Sequence, residues 1–155
     1  MSARGALDAV LAHVRAQRLV AEGDRVLLGL GGGVASAGML AAFIMGRGRG
    51  IPGCELAVAS VEVDLTGEGE HAEVVADVGR VARTFDLPFF AVRPPVRRGG
   101  VDVRSELVAL AREQGYTKDA LGHTRDDEVR AVLRGLGASE GVGALRGIAP
   151  RARGE

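Results

Sequence analysis

The chain has 155 residues, 46% of them hydrophobic and 26% charged, which suits one globular domain and excludes a disordered or fibrous chain. Twenty Lys+Arg against twenty Asp+Glu give a formal net charge of zero, so no bulk positive field draws the chain onto nucleic acid. Aromatic residues are 3%, with no Trp, so the core must come from Val, Leu, Ile and Ala, as in a buried parallel sheet.

Leu7, Val10, Leu11 and Val14 follow i, i+3, i+4, i+7 spacing and predict an amphipathic helix near residues 5–20, within an N-terminal segment 1–22. Gly23 and Asp24 break it. Residues 25–30 form a short apolar run ending in glycines, a buried strand entering a loop. Residues 35–45 are helical again, and 46–53, rich in Gly and Arg with Pro52, are a loop. A second strand is expected at 56–63. Val74, Val75, Val78, Val81, Ala82 and Phe85 share one helical face over 70–85. A third strand follows at 88–92 and a basic Pro/Gly loop at 94–100. Leu107, Leu110 and Ala111 mark a helix ended by Gly115. A fourth strand is expected at 119–122, a helix at 125–136 and an irregular tail over 137–155. Strands alternating with helices imply βαβ units and a parallel sheet.

Cys54 is the only cysteine, which excludes an internal disulfide, a CxxC pair and a cysteine-rich metal site. It reads as an inert thiol beside a Gly/Pro loop. His13 and His71 fall on polar helix faces. Residues 1–4 carry no apolar signal region, and the apolar stretch 39–45 is far too short to span a bilayer, so a cytoplasmic protein without membrane contact is expected.

The run Gly29-Leu-Gly-Gly-Gly-Val-Ala-Ser36 lies at the carboxyl end of the first strand, where open α/β sheets bind ligands. Glycines let backbone approach a phosphate, the helix N-terminus supplies free N–H groups, and Ser36 adds a hydroxyl. A Walker A loop is excluded because no lysine follows the glycines, and the Rossmann pattern fails at Val34. On its own the loop leaves two readings open, a phosphate cradle and a tight strand-to-helix turn without a ligand.

A second motif sharpens the first. Gly31-Gly-Gly-Val-Ala-Ser36 resembles the S-G-G-x-D-S loop of PP-loop (N-type) ATP pyrophosphatases. The run Leu121-Gly-His-Thr-Arg-Asp-Asp-Glu-Val-Arg-Ala-Val-Leu133 resembles the G-H-x-x-D-D-x-x-E-T-x-L motif of the branch that modifies tRNA, containing the lysidine and 2-thiocytidine synthases. Arg134-Gly-Leu-Gly137 and Gly143-Ala-Leu-Arg-Gly147 are similar to the lysidine branch's R-G-S-G…G-L-x-G-M stretch. The resemblance runs from about Asp24 to Pro150. It implies a three-layer αβα sandwich with a roughly five-stranded parallel sheet, of the HUP (adenine nucleotide alpha hydrolase-like) class, as one domain over 1–155. It also implies ATP between the loops after strands one and four, adenylation of a tRNA base and release of pyrophosphate.

Carried over by position, Gly32, Gly33, Ser36, Gly122, His123, Asp126 and Asp127 match the motifs. Gly31 replaces the loop serine, Ala35 the loop aspartate that would serve Mg²⁺, Arg130 the glutamate and Ala131 the threonine. The expected nucleotide site is therefore Gly31, Gly32, Gly33, Ser36, Gly122, His123, Asp126 and Asp127, with ATP or AMP as ligand and Mg²⁺ still admitted as a cofactor although Ala35 replaces its usual carboxylate; no residue is assigned to catalysis or named as a metal ligand. Thr124 and Asp127 also read as a helix cap. Arg93, Arg97, Arg98 and Arg104, with Arg146, Arg151 and Arg153, read either as a face for RNA or phosphate or as solvated surface.

Three functions follow. The first is a degenerate nucleotide-binding protein, catalytically impaired and regulatory or a partner subunit. The second is an active adenylating ligase in tRNA modification, with Asp64, Asp126 or Asp127 covering for the lost carboxylate. The third is a structural or assembly module that has lost its nucleotide. The expected partners are a nucleotide and either tRNA, a protein or a second copy of the chain.

Overall fold

The computed structural model describes residues 2–63, 70–94 and 102–137. In chain order it holds α1 (Ala3–Ala16), β1 (Arg25–Gly29), α2 (Val34–Gly46), β2 (Glu55–Val61), α3 (Glu70–Thr84), β3 (Phe89–Val92), α4 (Val103–Glu113), β4 (Lys118–Leu121) and α5 (Arg125–Gly137). The chain divides into two compact units, residues 1–122 and 123–155.

The first unit carries the sheet. Its four strands are all parallel, in the order β3-β2-β1-β4. Leu27 at the centre of β1 lies between Ala57 of β2 and Asp119 of β4. The described residues thus supply four of the roughly five strands expected. The tail expected at 137–155 falls outside them except for Gly137, which closes α5. Most of the basic loop at 94–100 is also outside them.

Alternation along the strands builds three layers. Val26 and Leu28 of β1 with Leu56 and Val58 of β2 face Leu11 of α1, Leu40 and Phe43 of α2 and Val78 and Ala82 of α3. Leu27, Ala57 and Ala59 face the other way, onto Leu107 and Ala111 of α4. Leu27 and Leu28 are 0% exposed, so each contributes about 1.5–3 kcal/mol of apolar burial. Both faces of β1 are therefore covered, as its unbroken apolar run requires.

Helix α1 ends earlier than its spacing predicts. Ser2 caps its start, accepting from the Gly5 N–H, but Gln17 caps its end and Arg18 takes a φ of +48°. Leu19 then returns its N–H to the Val14 carbonyl, and Val20 turns into the core. Both are apolar, so composition does not mark the stop.

A polar clasp closes the amino ends of the strands. Lys118, the only lysine, reaches Asp24 Oδ2 at 2.6 Å and donates to the Leu19 carbonyl at 2.9 Å. Asp24 also accepts from the Ala21 N–H at 2.7 Å and from the Thr117 hydroxyl. This ties β4 to the connection between α1 and β1. Among the described residues no helix is long and apolar enough to cross a membrane.

Candidate functional site

The strand order reverses beside β1, with β2 on one side and β4 on the other. The carboxyl ends of β1 and β4 therefore flank a switch point, the usual place for a ligand in an open α/β sheet. The chain leaves β1 at Gly29, where a Cβ would lie 2.5 Å from a Leu107 methyl and 2.7 Å from one of Leu121. Gly32 has a φ of +77°, and a Cβ there would stand 2.6 Å from Val74 Cγ1. Gly31 and Gly33, in contrast, face open space. The loop is folded by two glycines and left bare by two others.

Helix α2 starts from Gly33 without a side-chain cap, and its first turn holds no acidic residue. Among the described residues no side chain competes for its leading N–H groups or the positive end of its dipole. Ser36 is buried and donates its hydroxyl to the Gly33 carbonyl at 2.9 Å, so it braces the loop from within. Val34 is 91% exposed at the loop's tip.

Gly122 follows β4 and belongs to the same place. A Cβ on it would lie 2.7 Å from the Ala35 carbonyl oxygen and 2.8 Å from Ser36 Cα. The first unit therefore brings together Gly31, Gly32, Gly33, Ser36 and Gly122. Beside them is a cavity of about 150 Å³. It is walled by Gly29, Gly31, Ser60 and Leu121 at the strand ends, by Val74 of α3 and by Leu107 of α4.

Ser60 lines this cavity too, and sequence reading missed it. Leu56, Val58 and Ser60 occupy alternate positions on one face of β2, and the first two are core. Ser60 is 1% exposed, and among the described residues its hydroxyl finds no hydrogen-bond partner. The signal was an apolar row that ends on a polar residue at the strand's carboxyl end.

The other predicted residues lie in the second unit. His123 and Asp126 are exposed, and Asp127 is half-buried. Asp127 Oδ2 accepts from the Thr124 N–H at 2.8 Å and the Thr124 hydroxyl at 2.7 Å, while the Asp127 N–H returns to Thr124 Oγ1 at 3.3 Å. This is a reciprocal cap on α5. Arg130 lies 3.4 Å from Asp127 Oδ1. The Thr124 amide and hydroxyl, helped by the Arg130 and His123 charges, hold the Asp127 carboxyl below the usual carboxylate range.

Of the basic cluster, Arg93 donates to Glu62 at 2.5 Å and Arg104 stands in the first turn of α4. Arg97, Arg98, Arg146, Arg151 and Arg153, with Asp64, fall outside the described residues. Cys54 precedes β2, at the end of the sheet away from the loop, and burial pushes its thiol up. Among the described residues no three His, Cys, Asp or Glu side chains gather to hold a metal ion.

No family model matches the chain. It is 32% identical over 152 residues to a tRNA(Ile)-lysidine synthase of Chlorobaculum tepidum, covering 91% of this chain and 45% of that protein. It is 32% identical over 162 residues to a tRNA-cytidine(32) 2-sulfurtransferase of Anaeromyxobacter sp., covering 97% and 54%. The chain thus spans about half the length of the curated relatives it matches. Its fold matches the U34-tRNA thiolase NcsA of Methanococcus maripaludis, solved with its [4Fe-4S] cluster, at a TM-score of 0.71 and 16% identity, over 91% of this chain and 52% of that one. The relatives found by sequence are two kinds of tRNA-modifying enzyme of the PP-loop ATP pyrophosphatase family, and the parallel sheet with its glycine loop is consistent with a PP-loop domain similar to theirs.

Proposed function

We propose that this chain binds an adenine nucleotide, ATP or AMP, and serves as a catalytically impaired regulatory or partner subunit in cytoplasmic tRNA modification. The observation that carries the reading is the bare loop. Gly31 and Gly33 face open space before an uncapped helix N-terminus, and an apolar cavity adjoins them. Backbone amides suit a phosphate, and the cavity suits a base. The sequence relatives act on tRNA by their names, which supports the tRNA setting.

Impairment is argued from the carboxylates. Position 35 is Ala, and Asp127 is engaged by Thr124 and Arg130. Neither position offers a Mg²⁺ ion an unengaged carboxylate. Losing one preorganised charged contact costs about 3–4 kcal/mol of transition-state stabilisation. Binding through glycine amides does not depend on the missing side chain.

Thermal unfolding with ATP, AMP and pyrophosphate, each with and without Mg²⁺, tests this. Ligand at a hundred times its Kd stabilises by about 2.7 kcal/mol, a rise of several degrees. The expected result is a rise that does not require Mg²⁺. Binding strictly dependent on Mg²⁺ contradicts the carboxylate argument, and no rise with any ligand leaves an assembly module. Pyrophosphate release above background, with tRNA and ATP supplied, overturns the impairment.

A further inference from the structure

We propose that Ser60 is the residue that reads the base of the bound nucleotide, an inference that rests on the nucleotide-binding reading above. The row Leu56, Val58, Ser60 faces the layer of α2 and α3, and its first two members are apolar core. A third apolar residue would continue the pattern. A serine is there instead, 1% exposed, with no hydrogen-bond partner for its hydroxyl among the described residues. Leaving a buried hydroxyl unpaired costs about 1–3 kcal/mol. Such a group calls for a partner, and a ligand in the adjoining cavity can supply one.

The surroundings say what that is. Ser60 lines the cavity at the carboxyl ends of β1, β2 and β4, and among the described residues no charged side chain lines it with Ser60. At about 150 Å³ it matches a space known to take one benzene-sized ring. Valine and leucine side chains form most of its wall. Such a space rejects a phosphate, which would arrive unpaired in apolar surroundings. It accepts a flat heteroaromatic ring with one hydrogen-bonding edge. Gly31 belongs both to this wall and to the bare loop, so a ring seated here has its attached phosphates beside the loop amides. The Ser60 hydroxyl, able to donate and to accept, bonds the ring edge and fixes which way the base lies.

The test is calorimetric titration of wild type and Ser60→Ala with AMP, adenosine and pyrophosphate, beside thermal unfolding of both ligand-free proteins. Ser60→Ala is expected to weaken AMP and adenosine about tenfold, to leave pyrophosphate unchanged, and to unfold at the same temperature as wild type or higher. If AMP binds both proteins equally, the role of Ser60 is overturned and nucleotide binding stands. A clear fall in the unfolding temperature of the ligand-free variant makes the hydroxyl structural and also overturns it. Binding of pyrophosphate but not of AMP or adenosine to wild type overturns the base site alone. No binding of any of the three removes the nucleotide reading and this inference together.

Discussion

Single glycines that look alike in the sequence do different work in the fold. Gly32 sits in left-handed backbone under Val74, so Gly32→Ala should cost about 2 kcal/mol from backbone strain before any clash. Gly31→Ala meets open space and should stay within about 0.5 kcal/mol. Gly122→Ala should cost more than Gly32→Ala, because its Cβ meets the Ala35 carbonyl and Ser36 Cα, which are backbone and cannot turn aside. Urea unfolding of the three variants gives this ranking directly. Equal losses at Gly31 and Gly32 would remove the division of the loop into folding and binding glycines. The sequence showed that a glycine cluster follows a strand. It did not show which members the fold requires, since that depends on Val74 and on the distant end of β4. Ser60 was hidden for a related reason: a serine in an apolar run looks unremarkable until the faces of the strand are assigned.

At the scale of elements, caps and clasps decide where helices and strands hold. Thr124→Ala should remove about 1 kcal/mol from the start of α5. Hydrogen exchange at the first-turn amides of α5 should speed up while amides of β1 stay protected. The pH response belongs here as well. Burial raises the Asp24 carboxyl, but the Lys118 ammonium, the Ala21 N–H and the Thr117 hydroxyl more than offset this, leaving it below its ordinary value. Asp102, which caps α4, is lowered by the Ser105 hydroxyl against the effect of burial. A carboxyl lowered in the folded state contributes stability above its unfolded value, near pH 4, and loses it as pH falls through the folded value. Unfolding temperature should therefore be flat from neutral pH to about 5 and then drop, and Asp24→Asn should shrink the drop. An unchanged drop would assign the acid sensitivity to other groups. The sequence located each of these elements because strand and helix periods differ. It overshot the end of α1, where Arg18 adopts a left-handed turn that no spacing announces.

For the molecule as a whole, the alternation of strands and helices was enough to give the fold class, since parallel strands need covered crossovers. Strand order was not contained in that alternation. It came into view only with the pairing of β1 to both β2 and β4, which creates the switch point. The clasp at the other end of the sheet has a practical consequence. Because Lys118 is the only lysine of the sequence, it supplies the one side-chain amine, and the folded state holds it against Asp24 and the Leu19 carbonyl. Acylation of Lys118 then becomes a covalent clock for the opening of β4. Mass spectrometry after timed labelling should find Lys118 modified slowly in the folded protein, faster in Asp24→Asn, and at the rate of a free amine once urea unfolds the chain. Labelling as fast in the folded protein as in urea would mean that the clasp does not hold in solution.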